Sequence, residues 1–379
     1  MTSRIVPVST VTDADLRAWR DLSARAVEPN VFYDPEFLVP TQRYFGTGEG
    51  IHLLVVEDRD RWLAVLPLEL VPGDSRWPLR HASNAGPALQ EYTSLGTPLL
   101  DDGDAPRAAR ELVDALRDNR ALLGHAIVLH LLSVDGPAGR ILSDEIHRQR
   151  LAVHVWGNDA RAAVDYTQRE ISGWSDLVSA NRARKVRKEL RQLEKEAADS
   201  GLAAPELAQS DAAVGDYLAF EMRTWKGDPL RDGPAFARRD GGAEWVTSVF
   251  DGLRAKNGAY LLTLSAAPDT LHMALYLRSG STVFGWYDAY APDAARRSPG
   301  TLGRLLAAGH FAGVEGIRTL DMCMDPSRFP DQTSHYPDRV RITSLTVALG
   351  PWPFSRALDA RRLLGHLRHR LDHIRAPHD

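Results

Sequence analysis

Residues 281–324 restrict the possible fold more than any other segment. STVFGWYDAY (281–290) is typical of a strand, a helical pattern follows at 300–313, and IRTLDMCM (317–324) is again typical of a strand. Two strands of one sheet that are joined by a helix of this length are parallel, and the crossover between them is right-handed. The chain is therefore expected to contain at least one parallel strand pair.

The other strands are expected to be antiparallel. Apolar runs at 259–266 and 270–279 lead directly to residue 281, and Ser279-Gly280 favours a tight turn before it. The first half of the chain alternates strand patterns with helix patterns: strands at 51–57, 62–70, 126–134 and 151–156, and helices at 13–27, 104–118 and 138–149. The predicted fold class is α/β (α+β), with mixed, mostly antiparallel sheets that are flanked by helices.

Length and composition favour two globular domains. The chain has 379 residues, of which 44% are hydrophobic and 25% charged, and domains usually contain about 100–200 residues. The segment NDARAAVD interrupts the pattern of strands and helices near residue 160. We therefore predict one domain at 1–160 and a second at 161–379, the second ending in a helix at 355–374.

Charge and cysteine content argue against several classes of protein. A net charge of −4 does not suit a dedicated nucleic-acid binder. The one cysteine, Cys323, cannot form a disulfide within the chain or a thiolate zinc cluster. No apolar window of about 18 residues is present, and the N-terminus lacks the apolar core of a signal peptide. The sequence therefore predicts a cytoplasmic protein without a membrane span or a bound metal.

A helix start near residue 298 combines several features that favour anion binding. Ser298 stands at the cap position, and Pro299 stands at the first helical position, where its missing N–H costs nothing. Free N–H groups, the positive end of the helix dipole and two flanking arginines suit a phosphate or pyrophosphate. An ordinary capped helix would show the same capping residues. The candidate binding residues are Arg296, Arg297, Ser298, Pro299, Gly300, Thr301 and Gly303.

Four stretches, taken in their order and spacing, carry a family resemblance. They are PNVFYDPEFLVPTQRYFG with IHLLVVEDRDRWLAVLPL (29–68), ANRARKVRKELRQLEKE (180–196), FEMRTWKG (220–227) and WYDAYAPDAARRSPGTLGRLLAAG with TLDMCMD (286–325). They resemble the bacterial acetyltransferase-like family associated with cellulose-biosynthesis proteins, a GNAT-superfamily relative of the Fem peptidyltransferases. The resemblance implies two GNAT-like domains, of which the C-terminal one is active. It also implies acetyl-CoA or another acyl-CoA as cosubstrate, an amine acceptor and no metal.

The reaction implied by the resemblance needs a base and an acid. An amine must lose a proton before it attacks a thioester, and a carboxylate is the usual base; Glu221 and Asp288 are the candidates. Tyr336 or Tyr290 is the candidate acid for the leaving thiolate. Structural roles stay open, because Glu221 could pair with a neighbouring cation and Asp288 could cap a turn. The residues expected to contact the substrate are Arg223, Trp225, Lys226 and Tyr287.

Departures from the family pattern leave three functions open. The family's last strand usually ends in Asp-Phe-Gly with further glycines and then Tyr-Lys, whereas this chain has DMCMD (321–325) and Tyr336-Pro337. The first hypothesis is an acyl-CoA-dependent N-acyltransferase. The second is a Fem-like transferase that uses aminoacyl-tRNA, the one case in which a nucleic acid is expected. The third is a catalytically degenerate GNAT pair that acts as a binding or scaffold protein.

The stretch 180–196 is a basic helix, and two interpretations stay open for it. It could contact an anionic partner such as tRNA or a CoA phosphate, but a solvated helix with i,i+4 pairs is favoured. Its basic residues are Arg182, Arg184, Lys185, Arg187, Lys188 and Arg191. Three histidines of the C-terminal helix, His366, His369 and His373, are expected on a cationic solvated face rather than at a metal.

Overall fold

The computed structural model describes residues 1–231 and 233–350. These residues divide into two compact units. Unit 1 comprises 1–42, 46–159 and 341–350, and unit 2 comprises 43–45, 160–231 and 233–340. The sequence predicts a second domain that starts at residue 161 and runs to the end of the chain, whereas the contacts place 341–350 in unit 1. The predicted helix at 355–374, with its three histidines, lies outside the described residues.

Strands and helices alternate along most of the chain. The strands are β1 (Thr2–Pro7), β2 (Ile51–Asp58), β3 (Arg61–Val71), β4 (His81–Ser83), β5 (Leu99–Leu100), β6 (Ala126–Ser133), β7 (Val153–Asp165), β8 (Glu206–Gln209), β9 (Ala259–Ala266), β10 (Asp269–Ser279), β11 (Thr282–Tyr290), β12 (Thr319–Asp321) and β13 (Asp338–Ala348). The α-helices are α1 (Asp13–Arg25), α2 (Pro35–Phe45), α3 (Pro87–Tyr92), α4 (Ala105–Asp118), α5 (Arg120–Leu123), α6 (Pro137–Arg148), α7 (Ala180–Asp199), α8 (Val214–Met222), α9 (Gly242–Arg254), α10 (Pro299–Ala312) and α11 (Pro330–Thr333). The 3-10 helices are Val8–Thr10, Val31–Tyr33, Asp102–Asp104, Trp174–Leu177, Trp225–Gly227, Pro229–Arg231, Phe236–Arg238 and Pro292–Arg297.

The sheet of unit 1 follows the order β1-β2-β3-β4-β6-β13. Every neighbouring pair is antiparallel except β4 and β6, which run parallel over Ala82–Ser83 and Ile127–Val128. The last strand of this sheet comes from the end of the described chain, because 342–348 pair with β6. The crossover between the parallel strands contains α4, whose apolar face is buried and packs against β2 and β3.

The sheet of unit 2 follows the order β8-β9-β10-β11-β12-β7. Again one pair is parallel: Thr282–Phe284 of β11 pair with Thr319–Asp321 of β12, and the crossover between them is α10. The remaining pairs are antiparallel, including β12 with 163–165 at the end of β7. Leu305, Ala308 and Phe311 of α10 are fully buried and belong to the core cluster of this unit.

The two units therefore have the same sheet pattern. Each has four strands in antiparallel order, then one parallel pair, then one antiparallel strand. In each unit a helix crosses over between the parallel strands. This pattern confirms the predicted fold class, a mixed and mostly antiparallel sheet flanked by helices in both halves of the chain.

Three predictions of local structure are wrong. NDARAAVD does not interrupt the chain, because β7 continues through it to Asp165 and Ala162, Ala163 and Val164 are buried. The Gly-, Pro- and Ser-rich composition of 74–98 predicts a loop, yet this segment contains β4, which pairs with β3 and with the distant β6. The residue pattern of 211–226 predicts a helix over this whole range, but the helix ends at Met222, because Thr224 caps a new 3-10 turn by accepting from Lys226 N.

Candidate active site

The two parallel strands of unit 2 separate at their carboxyl ends. Strand β12 ends at Asp321, whereas β11 continues to Tyr290 without a partner on that side. The strands part at Gly285, where a Cβ would lie 2.9 Å from the carbonyl oxygen of Met322, so only glycine fits the close approach. Beyond Met322 the chain turns away through Cys323, which has a φ of 51°. The result is a gap with backbone groups along one edge.

A buried ion pair fixes the end of β12. Arg161 Nη2 lies 2.5 Å from Asp321 Oδ2, and both side chains are at most 5% exposed. The other carboxylate oxygen accepts the backbone N–H of Cys323 at 2.9 Å. Asp321 therefore stabilises the turn that opens the gap, and all its polar contacts are within the protein core.

Asp288, a candidate base, lies beside the gap, and its carboxylate accepts hydrogen bonds from two side chains. Its Oδ2 accepts from Arg304 Nη1 at 2.5 Å and from His272 Nε2 at 3.0 Å. Burial alone would raise the pKa of Asp288, but the Arg304 charge and the His272 hydrogen bond hold this pKa far below its usual range. Arg304 also donates to Gln332 Oε1 at 2.6 Å. Asp288 is therefore a firmly ionised carboxylate with little basicity.

Glu221, the other candidate base, is 1% exposed and has several hydrogen-bond partners. It accepts from Tyr217 OH at 3.2 Å and from the Phe236 N–H at 2.9 Å. Lys226 Nζ lies 3.5 Å from its Oε1 and donates to the backbone oxygen of Asp288 at 2.6 Å. The structure thus brings Glu221, Lys226 and Asp288 together, with Lys226 bridging the two acidic residues at the unpaired edge of β11.

The other predicted substrate residues are distributed around this cluster. Arg223 is exposed and lies over the Phe220 ring. Trp225 is half-buried in the 3-10 turn beside Lys226. Tyr287 is half-buried on β11 and packs edge-on against Phe236, with 4.4 Å between ring centroids. Of the four predicted substrate residues, Lys226 donates to the backbone of β11 and Tyr287 is part of this strand.

Tyr336, the candidate acid, is 4% exposed. Burial raises its pKa above the usual range, even though the Arg304 charge acts in the opposite direction. The phenol therefore keeps its proton throughout the physiological pH range. Tyr336 also lines a cavity of about 530 Å³ beside α7. Tyr290, the alternative acid, is half-buried and lies next to Gly300.

The start of α10 faces a second cavity, of about 240 Å³. Ser298 stands at the predicted cap position, but its φ of 51° is left-handed and its side chain accepts no hydrogen bond from the helix. The backbone N–H groups of the first turn are therefore not capped by Ser298. The residues that line the cavity are Arg182, Lys185, Val186, Lys188, Glu189, Arg296, Arg297, Ser298, Thr301 and Leu302.

The predicted anion-binding residues differ in their surroundings. Arg296 and Ser298 are exposed, whereas Arg297 Nη2 is paired with Glu196 Oε2 at 2.5 Å. Pro299 and Gly300 are buried, and a Cβ on Gly300 would lie 3.2 Å from Tyr290 Cδ1. The groups open to a ligand are thus Arg296, Ser298 and Thr301, with Arg297 within the same wall.

Gly303 has a packing role in the structure. A Cβ there would lie 2.1 Å from His272 Nδ1, and the His272 ring is fully buried and fixed by Asp288. We expect Gly303→Ala to lower the free energy of unfolding by about 1–3 kcal/mol, the usual cost of overpacking. Chemical denaturation measures this loss.

A matched control is Gly215→Ala, since Gly215 also lies in a helix but has open space around its Cβ position. Alanine has the higher helix propensity, so Gly215→Ala should be neutral or slightly stabilising. Equal stability of the two variants would show that the backbone of α10 yields easily at Gly303.

The crossover helix of unit 1 differs in charge from α10. The segment before α4 is Asp101-Asp102-Gly103-Asp104, and the Asp104 carboxylate caps the helix by accepting from Arg107 N at 3.2 Å. Acidic side chains at this position satisfy the free N–H groups and repel anions. The equivalent position in unit 2 carries two arginines and no capping side chain. An anionic ligand is therefore favoured at unit 2 alone of these two helix starts.

Several residues of the site were missed by sequence reasoning. His272, Arg304 and Gln332 come from β10, α10 and α11, and they meet only through the pairing of β10 with β11 and the packing of α10. Arg304 lies four positions after Gly300 and four before Ala308 in α10, and both of these are buried, so its place beside the buried face could have been found from the helical period. His272 and Gln332 gave no comparable signal.

Comparisons with known proteins agree with this geometry. A family model described as "Acetyltransferase (GNAT) domain" matches residues 184–330, all within unit 2. No curated protein sequence matches the chain. No described helix is both long enough and apolar enough to cross a membrane.

Solved structures share the fold at low sequence identity. FemX is 11% identical, with a TM-score of 0.56, and the match covers 92% of this chain and 96% of FemX. A conserved protein of unknown function from Bacteroides thetaiotaomicron VPI-5482 is 10% identical, with a TM-score of 0.55, covering 89% of this chain and 98% of that one. The C-terminal domain (DUF2156) of a putative lysylphosphatidylglycerol synthetase from Agrobacterium fabrum is 14% identical, with a TM-score of 0.50, covering 92% and 96%.

These similarities bear on the fold and on one segment of the chain. The family model matches residues 184–330 of unit 2, and the two units have the same sheet pattern. Residues 184–330 therefore carry a GNAT acetyltransferase domain, within a chain whose two units each have a GNAT-like fold.

Proposed function

We propose that this protein transfers an acyl group, acetyl in the simplest case, from acyl-CoA to an amine acceptor. One observation carries the proposal: the uncapped start of α10, flanked by arginines, faces a cavity of about 240 Å³ in the unit whose parallel strands separate. Backbone N–H groups at a helix start, with adjacent arginines, suit a pyrophosphate. The resemblance to the cellulose-associated acetyltransferase-like family supports the same function.

In this proposal the donor is held by the start of α10 and by the two arginines that precede it. Arg296, Ser298 and Thr301 contact the pyrophosphate, and Arg297 contributes its charge from the Glu196 pair. The absence of acidic capping residues at this position, in contrast to α4, supports the choice of unit 2.

The chemical step joins the amine to the acyl carbon. A new C–N bond forms as the C–S bond of the thioester breaks, the amine gives up a proton, and the leaving thiolate takes one up. Tyr336 keeps its proton and is proposed as the donor to the thiolate. The proton that the amine loses passes to water and from there restores the phenol, so the step balances without a further acid or base. Glu221 lies beside Lys226 and Asp288 is paired with Arg304, which supports roles in holding these two cations rather than in removing the amine proton.

Calorimetry with acetyl-CoA tests the donor site. We expect Arg296→Ala to weaken binding by about tenfold, because a hydrogen bond to a charged group contributes about 1.5–3 kcal/mol. Arg318→Ala is the matched control, since Arg318 is also an exposed arginine of unit 2 but lies outside the cavity. The control should bind acetyl-CoA like the unmodified protein.

The same titration separates the alternatives. Binding of aminoacyl-tRNA in place of acetyl-CoA would support a Fem-like transferase. Failure to bind either donor would contradict transfer altogether and favour a scaffold. Once binding is established, release of free CoA in the presence of a panel of amines identifies the acceptor.

A further inference from the structure

Two residues on one face of α7 connect the two cavities of unit 2. Arg182 and Lys185 are three positions apart, and each lines both the 240 Å³ cavity at the start of α10 and the 530 Å³ cavity beside Tyr336. Residues three apart on a helix are neighbours on its surface. A ligand bound at α10 can therefore reach the larger cavity along these two cations.

The cations have no acidic partner in the part of the chain that the structure describes. None of the described carboxylates lies within ion-pair distance of Arg182 or Lys185, and Arg182 Nε is buried without a hydrogen-bond partner. Asp176 is the acidic residue of the larger cavity. Its Oδ2 accepts hydrogen bonds from the backbone N–H of Ser172 at 2.9 Å and from the Ser172 hydroxyl at 2.7 Å. Asp176 keeps its charge and Glu189 lines the smaller cavity, but cationic side chains outnumber carboxylates in the lining of both cavities.

His335 does not change this balance. Its Nδ1 lies 3.4 Å from Arg182 Nη2. Burial, together with the charges of Arg182 and Arg304, lowers the pKa of His335 to about 4. The imidazole is therefore neutral near pH 7, and it can share an N–H of Arg182 without supplying a negative charge to it.

We propose that the larger cavity holds a second phosphate or carboxylate group, bound by Arg182 and Lys185. This inference rests on the proposed function and extends it: the substrates carry an anionic group in addition to the pyrophosphate. Two sources have this chemistry, the 3′-phosphate of CoA and an acidic group of the acceptor. Because Arg182 and Lys185 line both cavities, one extended anionic ligand can contact these two side chains from either cavity.

The first experiment compares CoA with dephospho-CoA, which lacks the 3′-phosphate. The unmodified protein should bind CoA about tenfold more tightly, the effect of one charge-assisted contact. Arg182→Ala and Lys185→Ala should remove most of that preference. Arg191→Ala is the matched control, since Arg191 is an exposed arginine of α7 that lines neither cavity. Thermal unfolding checks that every variant is folded.

The second experiment tests the other source. Protein saturated with dephospho-CoA is titrated with inorganic phosphate and with glutarate. Binding that depends on Arg182 and Lys185, but not on Arg191, would assign the cavity to an acidic acceptor. If the protein neither prefers CoA over dephospho-CoA nor binds these anions through Arg182, the inference is wrong.

These experiments distinguish a failure of the second anion site from a failure of the proposed acyl-CoA donor site. Tight binding of both CoA forms, with no effect of Arg182→Ala in either experiment, would overturn the second site and leave the acyl-CoA donor in place. Failure of CoA to bind would overturn the donor, while binding of inorganic phosphate that requires Arg182 would still support the anion site.

Discussion

Replacing Asp321 with asparagine is expected to lower the free energy of unfolding by about 3–5 kcal/mol, because the change leaves the buried Arg161 guanidinium without its counter-charge. Asparagine keeps the side-chain oxygen that accepts the Cys323 N–H, so the variant removes charge rather than shape. Denaturant unfolding, followed by a probe in unit 2, measures the loss.

The chain offers a control with the same chemistry at the surface. Arg341 and Asp135 form an Arg–Asp pair of the same 2.5 Å length, but their side chains are 61% and 41% exposed. Exposed pairs contribute about 0–1 kcal/mol, so Asp135→Asn should have little effect. Similar losses in the two variants would contradict the argument from burial.

A double variant tests the pair itself. If Asp321→Asn acts by leaving Arg161 unpaired, then adding Arg161→Met should restore part of the stability, because the uncompensated charge is gone. Strictly additive losses would instead show that the two residues act independently.

The position of the parallel pair could be predicted because it depends on local patterns. A strand, a helix of more than ten residues and a second strand leave few possible connections, and β11, α10 and β12 follow that expectation. The start of α10 at Ser298 was also predicted from its residue types. Its left-handed backbone was not, since a non-glycine residue with positive φ is uncommon.

The pairing of the strand that follows the parallel pair in each unit could not be predicted. In unit 1, 342–348 pair with β6, and in unit 2, 163–165 pair with β12, so each sheet takes its last strand from a distant part of the chain. Strand pairing depends on non-local contacts that leave no periodic signal in one sequence. For the same reason the sequence did not show that NDARAAVD is part of β7; the division between the units falls inside this strand.

The ion pairs around Asp288 depend on register. Asp288 lies opposite Ala274, and a bulge between Leu275 and Tyr276 sets that alignment. A shift of one residue would move His272 away from Asp288 and turn it to the other face. The sequence places Asp288 near the end of β11 but does not reveal its partners Arg304 and His272. These partners decide whether the carboxylate is basic.

Glu221→Gln is expected to lower the free energy of unfolding by about 1–3 kcal/mol, the cost of leaving a buried polar group unsatisfied. The Glu221 carboxylate accepts from Tyr217 OH and from Phe236 N, and Lys226 Nζ lies 3.5 Å away. Glutamine has one acceptor oxygen, so its amide group must face one of these donors. Arg223→Gln, an exposed change two residues along, is the control and should be neutral.

The combination with Lys226→Met distinguishes a positioning residue from a base. If Glu221 acts by holding Lys226 at the edge of β11, the two changes share one interaction, and the double variant should lose less stability and less turnover than the sum of the single variants. A base acts in the transition state, so its loss would lower kcat without changing stability or acetyl-CoA binding. Turnover is measured with the acceptor identified by CoA release.

A stable Glu221→Gln protein that binds acetyl-CoA normally, with a loss of kcat that adds to that of Lys226→Met, would restore Glu221 as the base. A coupled loss of stability and turnover would instead show that Lys226 is the group that faces the gap and that Glu221 and Tyr217 hold it in place.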